Sequence, residues 1–189
     1  LGGGDDTATL QDGVTDPAKG RAIVIGGRGE MRLVHQMADP GPLLPADERE
    51  MPELFEAERL LDIRSTDSAM TGHNTGGHDT ISLGAGRRVV IGGGGSDTIT
   101  GDDGRSIVAG DEADLLLKPS EDDFILSTFW SEGYESNAAP ITGGNDTITL
   151  GTGDASVIGG MGDDAIIAGL GTTDPVGWIY TIIGDRGAI

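Results

Sequence analysis

The hydrophobic positions of this chain fall into short triplets spaced nine residues apart. Val89-Val90-Ile91, Thr98-Ile99-Thr100 and Ile107-Val108-Ala109 follow one another at that interval, and Thr147-Ile148-Thr149, Ser156-Val157-Ile158 and Ala165-Ile166-Ile167 repeat it. Between the triplets lie hexads rich in glycine and aspartate. Triplets dominated by β-branched residues predict short strands, and the hexads predict tight turns. Strand side chains alternate, so only the middle residue of each triplet points inward. A single nonad buries one residue and cannot fold alone. Stacked turns sharing a thin aliphatic core, as in a solenoid, resolve that difficulty.

Counted from Asn74, position four is glycine (Gly77, Gly86, Gly95, Gly104) and position eight is β-branched (Ile81, Val90, Ile99, Val108). The register returns over 141–167 with Gly144, Gly153 and Gly162, then Ile148, Val157 and Ile166. An eroded copy opens the chain with Gly4, Asp6 and Ala8 and resumes at Gly26-Gly27-Arg28-Gly29, with Leu33 at position eight. The segment 92–100, GGGGSDTIT, fits the pattern G-G-x-G-x-D-x-U-x at every position; GGHDTIS (76–82), GGNDTIT (143–149) and GGMGDDAII (159–167) fit it in part or well. These segments resemble the calcium-binding nonapeptide repeat of repeats-in-toxin (hemolysin-type) proteins, in particular long tandem-repeat, adhesin-like ones. The resemblance covers roughly half the chain.

The resemblance implies an all-β fold: a right-handed parallel β-roll, a β-solenoid with two nonapeptides per coil, interrupted here by loop and hairpin insertions. Alternate nonads then turn on opposite edges. Position six on one edge reads Asp6, Met31, Asp79, Asp97, Asp146, Asp164, and on the other Arg88, Ser106, Ala155. Calcium is a hard cation that takes six to eight oxygens. Ca²⁺ is therefore expected between the 74–79 and 92–97 turns and between the 141–146 and 159–164 turns. The implied ligands are Asp79, Asp97, Asp146 and Asp164 with turn glycines Gly76, Gly93, Gly95, Gly143, Gly160 and Gly162. Asp111 and Asp185 follow on the same edge and are expected to close the last site of each run, whereas Met31 should weaken the site beside Gly26–Gly29. The plainer reading makes these aspartates turn formers that bond their own backbone.

The two faces differ. Strands leaving the aspartate edge carry outward hydroxyls, as in Thr80-Ile81-Ser82 and Thr98-Ile99-Thr100, so that face is expected to be wet. The opposing strands are apolar on both sides, which predicts cover on both faces. With position eight inward, Val89, Ile91, Ile107 and Ile158 point outward, toward self-association or lateral packing with another chain, or toward the chain's own insertions through Leu115, Leu117, Ile125 or Phe129. The expected organisation is an eroded roll repeat (1–34), an insertion (35–73), a roll (74–109), a hairpin insertion (110–140), and a roll with an edge loop near 172–180 (141–189). Within the first insertion, 52–59 reads as a short helix with proline at its first position, followed by a strand over 60–67. The second reads strand, turn, strand over 115–130. Most aromatic residues lie in the insertions or the last segment. The related starts at Gly3, Gly76 and Gly143 give an upper repeat of about 70 residues, which is expected to continue in a longer array. Leu1–Asp6 shows no basic-then-apolar leader.

Charge sharpens the function. Thirty-two acids against 12 bases give a net charge of −20. Nucleic-acid backbones and anionic membranes are repelled, so neither partner is expected, and no apolar run suits membrane insertion. Glycine supplies 34 of 189 residues but not at every third position, which excludes collagen. The absence of cysteine excludes disulfide staples and thiolate sites; a secreted fold without disulfides needs another staple, and bound metal is one. No catalytic residues and no enzyme activity are expected. His35, His73 and His78 lack a zinc-protease spacing, Gly92–Gly95 closes a turn and opens no helix, and Asp102-Asp103 and Asp163-Asp164 lie in metal-type turns. The expectation is a calcium-stabilised structural or adhesive segment of a large extracellular, secreted or cell-surface protein, assembling into fibres. Two alternatives are a calcium-responsive secretion and folding module of an exported enzyme, and ice binding through the Thr-x-Thr ladder, which breaks at Arg32-Leu33-Val34 and Ala165-Ile166-Ile167.

Overall fold

The computed structural model of the chain describes residues 4–10, 21–27, 29–36, 58–65, 77–119, 124–131, 143–169 and 179–185. Among them the fold is all-β, with fourteen strands in three sheets. The chain alternates between two parallel five-stranded sheets. The first, in the order β1-β5-β7-β11-β13, contains β1 (Thr7–Leu10), β5 (Thr80–Leu83), β7 (Thr98–Gly101), β11 (Thr147–Leu150) and β13 (Ala165–Ile167). The second, in the order β2-β6-β8-β12-β14, contains β2 (Arg21–Ile25), β6 (Arg87–Ile91), β8 (Ser106–Ala109), β12 (Ala155–Ile158) and β14 (Tyr180–Ile183).

Register follows the nonad. Ala8, Ile81, Ile99, Ile148 and Ile166 align across the first sheet. Val24, Val90, Val108, Val157 and Ile182 align across the second. The two rows face each other in one core, where Ile81, Val90, Ile99, Val108, Ile148 and Val157 are all fully buried. Each such side chain stabilises the fold by about 1.5–3 kcal/mol.

The third sheet is antiparallel, in the order β10-β9-β4-β3, from β3 (Gly29–Gln36), β4 (Glu58–Ser65), β9 (Ala113–Pro119) and β10 (Phe124–Ser131). Its Ile63, Leu115, Leu117 and Phe129 pack on Val89, Ile91, Ile107, Ala109 and Ile158 in a second core. Of the two covers expected for this face, the chain's own insertion is the one present, through Leu115, Leu117 and Phe129, and Val89, Ile91, Ile107 and Ile158 are no more than 3% exposed. The inserted sheet also corrects the boundary at 34. No glycine follows Gly29 until Gly41, so the glycine-rich nonad turn does not recur within nine residues. Gly29–Gln36 instead runs straight and pairs with β4. Met31 thus lies in the inserted sheet and is 51% exposed, away from the aspartate edge. The expected helix falls mainly on 52–57, outside the described residues, and its last two positions, Glu58 and Arg59, begin β4. Of the edge loop expected near 172–180, residues 172–178 also lie outside them, and Tyr180 already begins β14.

Candidate metal centre

The edge where the second sheet hands the chain to the first carries the carboxylates. Its turns run from Gly26 to Asp79, Gly92 to Asp97, Gly110 to Asp146 and Gly159 to Asp164. The second and fourth are intact hexads. The first and third are split, and the inserted strands leave through the splits. Asp79, Asp97 and Asp146 are at most 2% exposed.

Each position-six aspartate is held by its neighbour. The backbone N–H of Asp6 donates to Asp79 Oδ1 (2.8 Å), that of Asp79 to Asp97 Oδ1 (2.8 Å), that of Asp97 to Asp146 Oδ1 (2.7 Å), and that of Asp146 to Asp164 Oδ1 (2.9 Å). A second ladder runs one residue earlier in the opposite sense. The N–H of His78 donates to Asp5 Oδ1, Ser96 N–H to His78 Nδ1, Asn145 N–H to Ser96 Oγ, and Asp163 N–H to Asn145 Oδ1. Sequence reasoning missed this ladder; its signal is an acceptor at position five of each turn, hidden because the side chains differ chemically.

The Oδ1 atoms are therefore occupied, while three of the Oδ2 atoms are not. Asp97 Oδ2, Asp146 Oδ2 and Asp164 Oδ2 are buried without a hydrogen bond. Leaving such an oxygen unsatisfied costs about 1–3 kcal/mol, and more for a charged group. Each Oδ2 faces the first glycine of its own turn. The point where a Cβ on Gly92 would stand lies 2.4 Å from Asp97 Oδ2 and 2.1 Å from the Gly110 carbonyl oxygen. The same cradle recurs at Gly26 (Asp79 Oδ2 and Gly92 O), Gly110 (Asp146 Oδ2 and Gly159 O) and Gly159 (Asp164 Oδ2 and Gly184 O). A carboxylate oxygen and a carbonyl from the next turn thus converge four times in one column, where any side chain would intrude. The donors are all oxygen, which fits a hard divalent cation such as Ca²⁺. Among the described residues no three acidic or histidine side chains converge as a metal-binding group. Most ligands would therefore have to be main-chain carbonyls.

Burial and mutual repulsion disfavour the charged form of these carboxylates. Burial, opposed by the N–H bonds, pushes the Asp97 carboxyl up to about 7, Asp111 up to about 8 and Asp146 up to about 9. Burial also raises Asp79 and Asp164. The charges acting on Asp146 are the carboxylates of Asp111, Asp97 and Asp164, which raise it further.

The sequence-derived ligands sort accordingly. Asp79, Asp97, Asp146 and Asp164 share the column. Asp111 sits beside it, but both its oxygens accept backbone N–H groups, Oδ1 from Gly144 (3.1 Å) and Oδ2 from Met161 (2.5 Å). It braces the split turn against the intact one. Asp185 is exposed after the last strand. Gly93, Gly95, Gly160 and Gly162 take positive φ and bend the intact turns. Gly143 packs against Asp111, and Gly76 lies outside the described residues. The residues that build the cradles, Gly26, Gly92, Gly110, Gly159 and Gly184, were missed as a set. Their signal is a glycine directly after every strand of the second sheet.

The opposite edge solves the same problem differently. Arg88, at position six there, is 3% exposed and donates from Nη1 to the Gly84 carbonyl (2.9 Å) and from Nη2 to the Asp102 carbonyl. Gly101 makes room for it, because a Cβ would lie 2.5 Å from Nη1. Compared with known protein families, curated proteins and solved structures, the chain matches none.

Proposed function

We propose that the chain is a calcium-stabilised, non-catalytic structural or adhesive repeat segment of a secreted or cell-surface protein, built as a right-handed parallel β-roll of the repeats-in-toxin kind. One observation carries this reading: a column of buried aspartate Oδ2 atoms lacking hydrogen bonds, each set beside a glycine carbonyl of the adjacent turn. Ca²⁺ held there by Asp79, Asp97, Asp146 and Asp164 with those carbonyls would neutralise the column and crosslink successive turns. The alternation of strands between two parallel sheets supports the roll. The net charge of −20 supports an environment that supplies divalent cations. Millimolar calcium outside cells suits sites of about 10⁻⁴–10⁻³ M. The test is calorimetric titration of metal-free protein with Ca²⁺ and, in parallel, Mg²⁺. The expected result is saturable Ca²⁺ binding accompanied by a gain of β circular dichroism. No heat and an unchanged spectrum would refute the reading.

A further inference from the structure

We propose that the outward face of the first parallel sheet is an ice-binding surface, its occupant the ordered water of a growing ice crystal. The inference goes beyond the reading above. It uses only outward side chains of β1, β5, β7 and β11 and does not rest on the cation column.

These strands set hydroxyls in two rows. Thr7, Thr80, Thr98 and Thr147 align in one row, and Thr9, Ser82, Thr100 and Thr149 in the other. The residues between the rows, Ala8, Ile81, Ile99 and Ile148, belong to the core. The hydroxyl residues are exposed apart from Ser82 and Thr149, which are half-buried. The interruption expected at Arg32-Leu33-Val34 is not in this sheet, because those residues run in β3 of the inserted sheet. The field is therefore continuous over four strands and stops at β13, where Ala165 and Ile167 take the two positions.

Charge narrows the occupant. The eight positions carry no charge in a chain whose net charge is −20, so their complement is neutral. Geometry narrows it further. Neighbouring strands lie about 4.8 Å apart, and side chains two residues apart on one strand about 6.6 Å. The hydroxyls thus repeat on two axes, near the spacings at which oxygen atoms repeat on a prism face of ice. A neutral polysaccharide repeats along one axis and would engage one row.

The field is also ordered in advance. Seven of its eight residues are threonine, whose branched Cβ restricts χ1. Strands β5, β7 and β11 are paired on both sides, and Thr100 Oγ1 donates to Ser82 Oγ across two of them (3.1 Å). Little freedom is left to lose on binding. A hydroxyl offers one donor and two acceptor pairs, so it can stand in for water at a lattice site. The methyl beside it carries no group that competes for those hydrogen bonds.

The test is uptake of folded protein into ice. Ice grown slowly in a dilute solution of the calcium-loaded chain should incorporate wild-type protein, and small crystals in the same solution should show thermal hysteresis. Thr100→Lys, at the centre of the field, should lower uptake about tenfold, the equivalent of about 1.4 kcal/mol, with unchanged circular dichroism. Met31→Lys makes the same charge on an exposed side chain of the inserted sheet and should leave uptake unchanged. Exclusion of folded wild-type protein from ice would overturn the proposal, as would equal uptake of wild type and Thr100→Lys, or an equal loss with Met31→Lys. Retention on insoluble cellulose or chitin without uptake into ice would also overturn it and give the face to a polysaccharide. If Thr100→Lys does not fold, Thr98→Lys takes its place. Calcium titration of the same samples is a separate readout, so failure here is distinct from failure of the cation reading.

Discussion

At the residue scale, two oxygens of one carboxylate have divided duties. Oδ1 of Asp97 takes the Asp79 N–H, and Oδ2 faces the Gly92 cradle. Asp97→Ala removes both, so calorimetry should show fewer calcium ions bound and a lower unfolding midpoint. Asp103, on the other edge, accepts the Thr152 N–H at 2.8 Å and bonds the Thr152 side chain, on the surface. Asp103→Ala should cost about 1 kcal/mol or less and leave the stoichiometry intact. Arg88→Ala should cost more, about 1–3 kcal/mol, because it strands the Gly84 and Asp102 carbonyls. Calcium should not rescue it, since its edge holds no carboxylate column. The raised aspartates also set a pH dependence. Their folded values, about 7 to 9 for Asp97, Asp111 and Asp146, lie above the ordinary 3.8. In the cation-free protein their contribution is therefore favourable below about pH 4 and is lost as pH rises through 7 to 9. Metal-free protein should melt at a higher temperature at pH 5 than at pH 9. Protons compete with the cation, so calcium affinity should rise over the same range.

At the element scale, the inserted sheet is the second wall of the molecule. Phe129 is fully buried between it and the aliphatic face. Phe129→Ala should destabilise by about 3–5 kcal/mol, measured by denaturant unfolding, without changing calcium stoichiometry. Val89→Lys should likewise unfold the monomer, because Val89 is 1% exposed beneath that sheet. The strands of the two parallel sheets were legible because a nine-residue period states both turn and inward residue at once. The doubly apolar triplet Val89-Val90-Ile91 announced a cover. The second insertion was legible as a cover through Leu115, Leu117 and Phe129; the four-stranded sheet was not, since β3, β4, β9 and β10 come from two distant insertions and their pairing leaves no period. Gly29–Gln36 misled for a related reason: its opening glycines mimic a nonad turn, and only the missing glycine after Gly29 shows a straight strand. Of the site, the aspartate column was readable from position six. The cradle glycines were not, because position-one glycines look like turn formers until the adjacent carbonyl is seen 2.1 Å from a Cβ on Gly92.

At the scale of the whole molecule, net charge and a thin core make stability conditional. Thirty-two acids and 12 bases repel one another in a stack where each turn buries few side chains. A ligand held only by the folded state stabilises it by about 2.7 kcal/mol at a hundredfold excess over its dissociation constant. Dialysis into excess chelator at pH 8 should abolish much of the β signal, and added calcium should restore it. Sodium chloride at high ionic strength should restore less, because screening weakens repulsion but leaves the buried Oδ2 atoms without a ligand.

The split turns also set an order of events in time. The ladder bonds Asp79–Asp97 and Asp146–Asp164 each span 18 residues, whereas Asp97–Asp146 spans 49 and Asp6–Asp79 spans 73. Closing a longer loop costs more entropy, and distant pairings slow folding. Two local pairs of turns are therefore expected to form first as separate nuclei, with the seam between Asp97 and Asp146 closing later. That seam carries the raised carboxylates of Asp97, Asp111 and Asp146, so the cation proposed above would act there as a clasp on a late, slow closure. Stopped-flow refolding should show a fast phase that ignores calcium concentration and a slow phase that quickens with it.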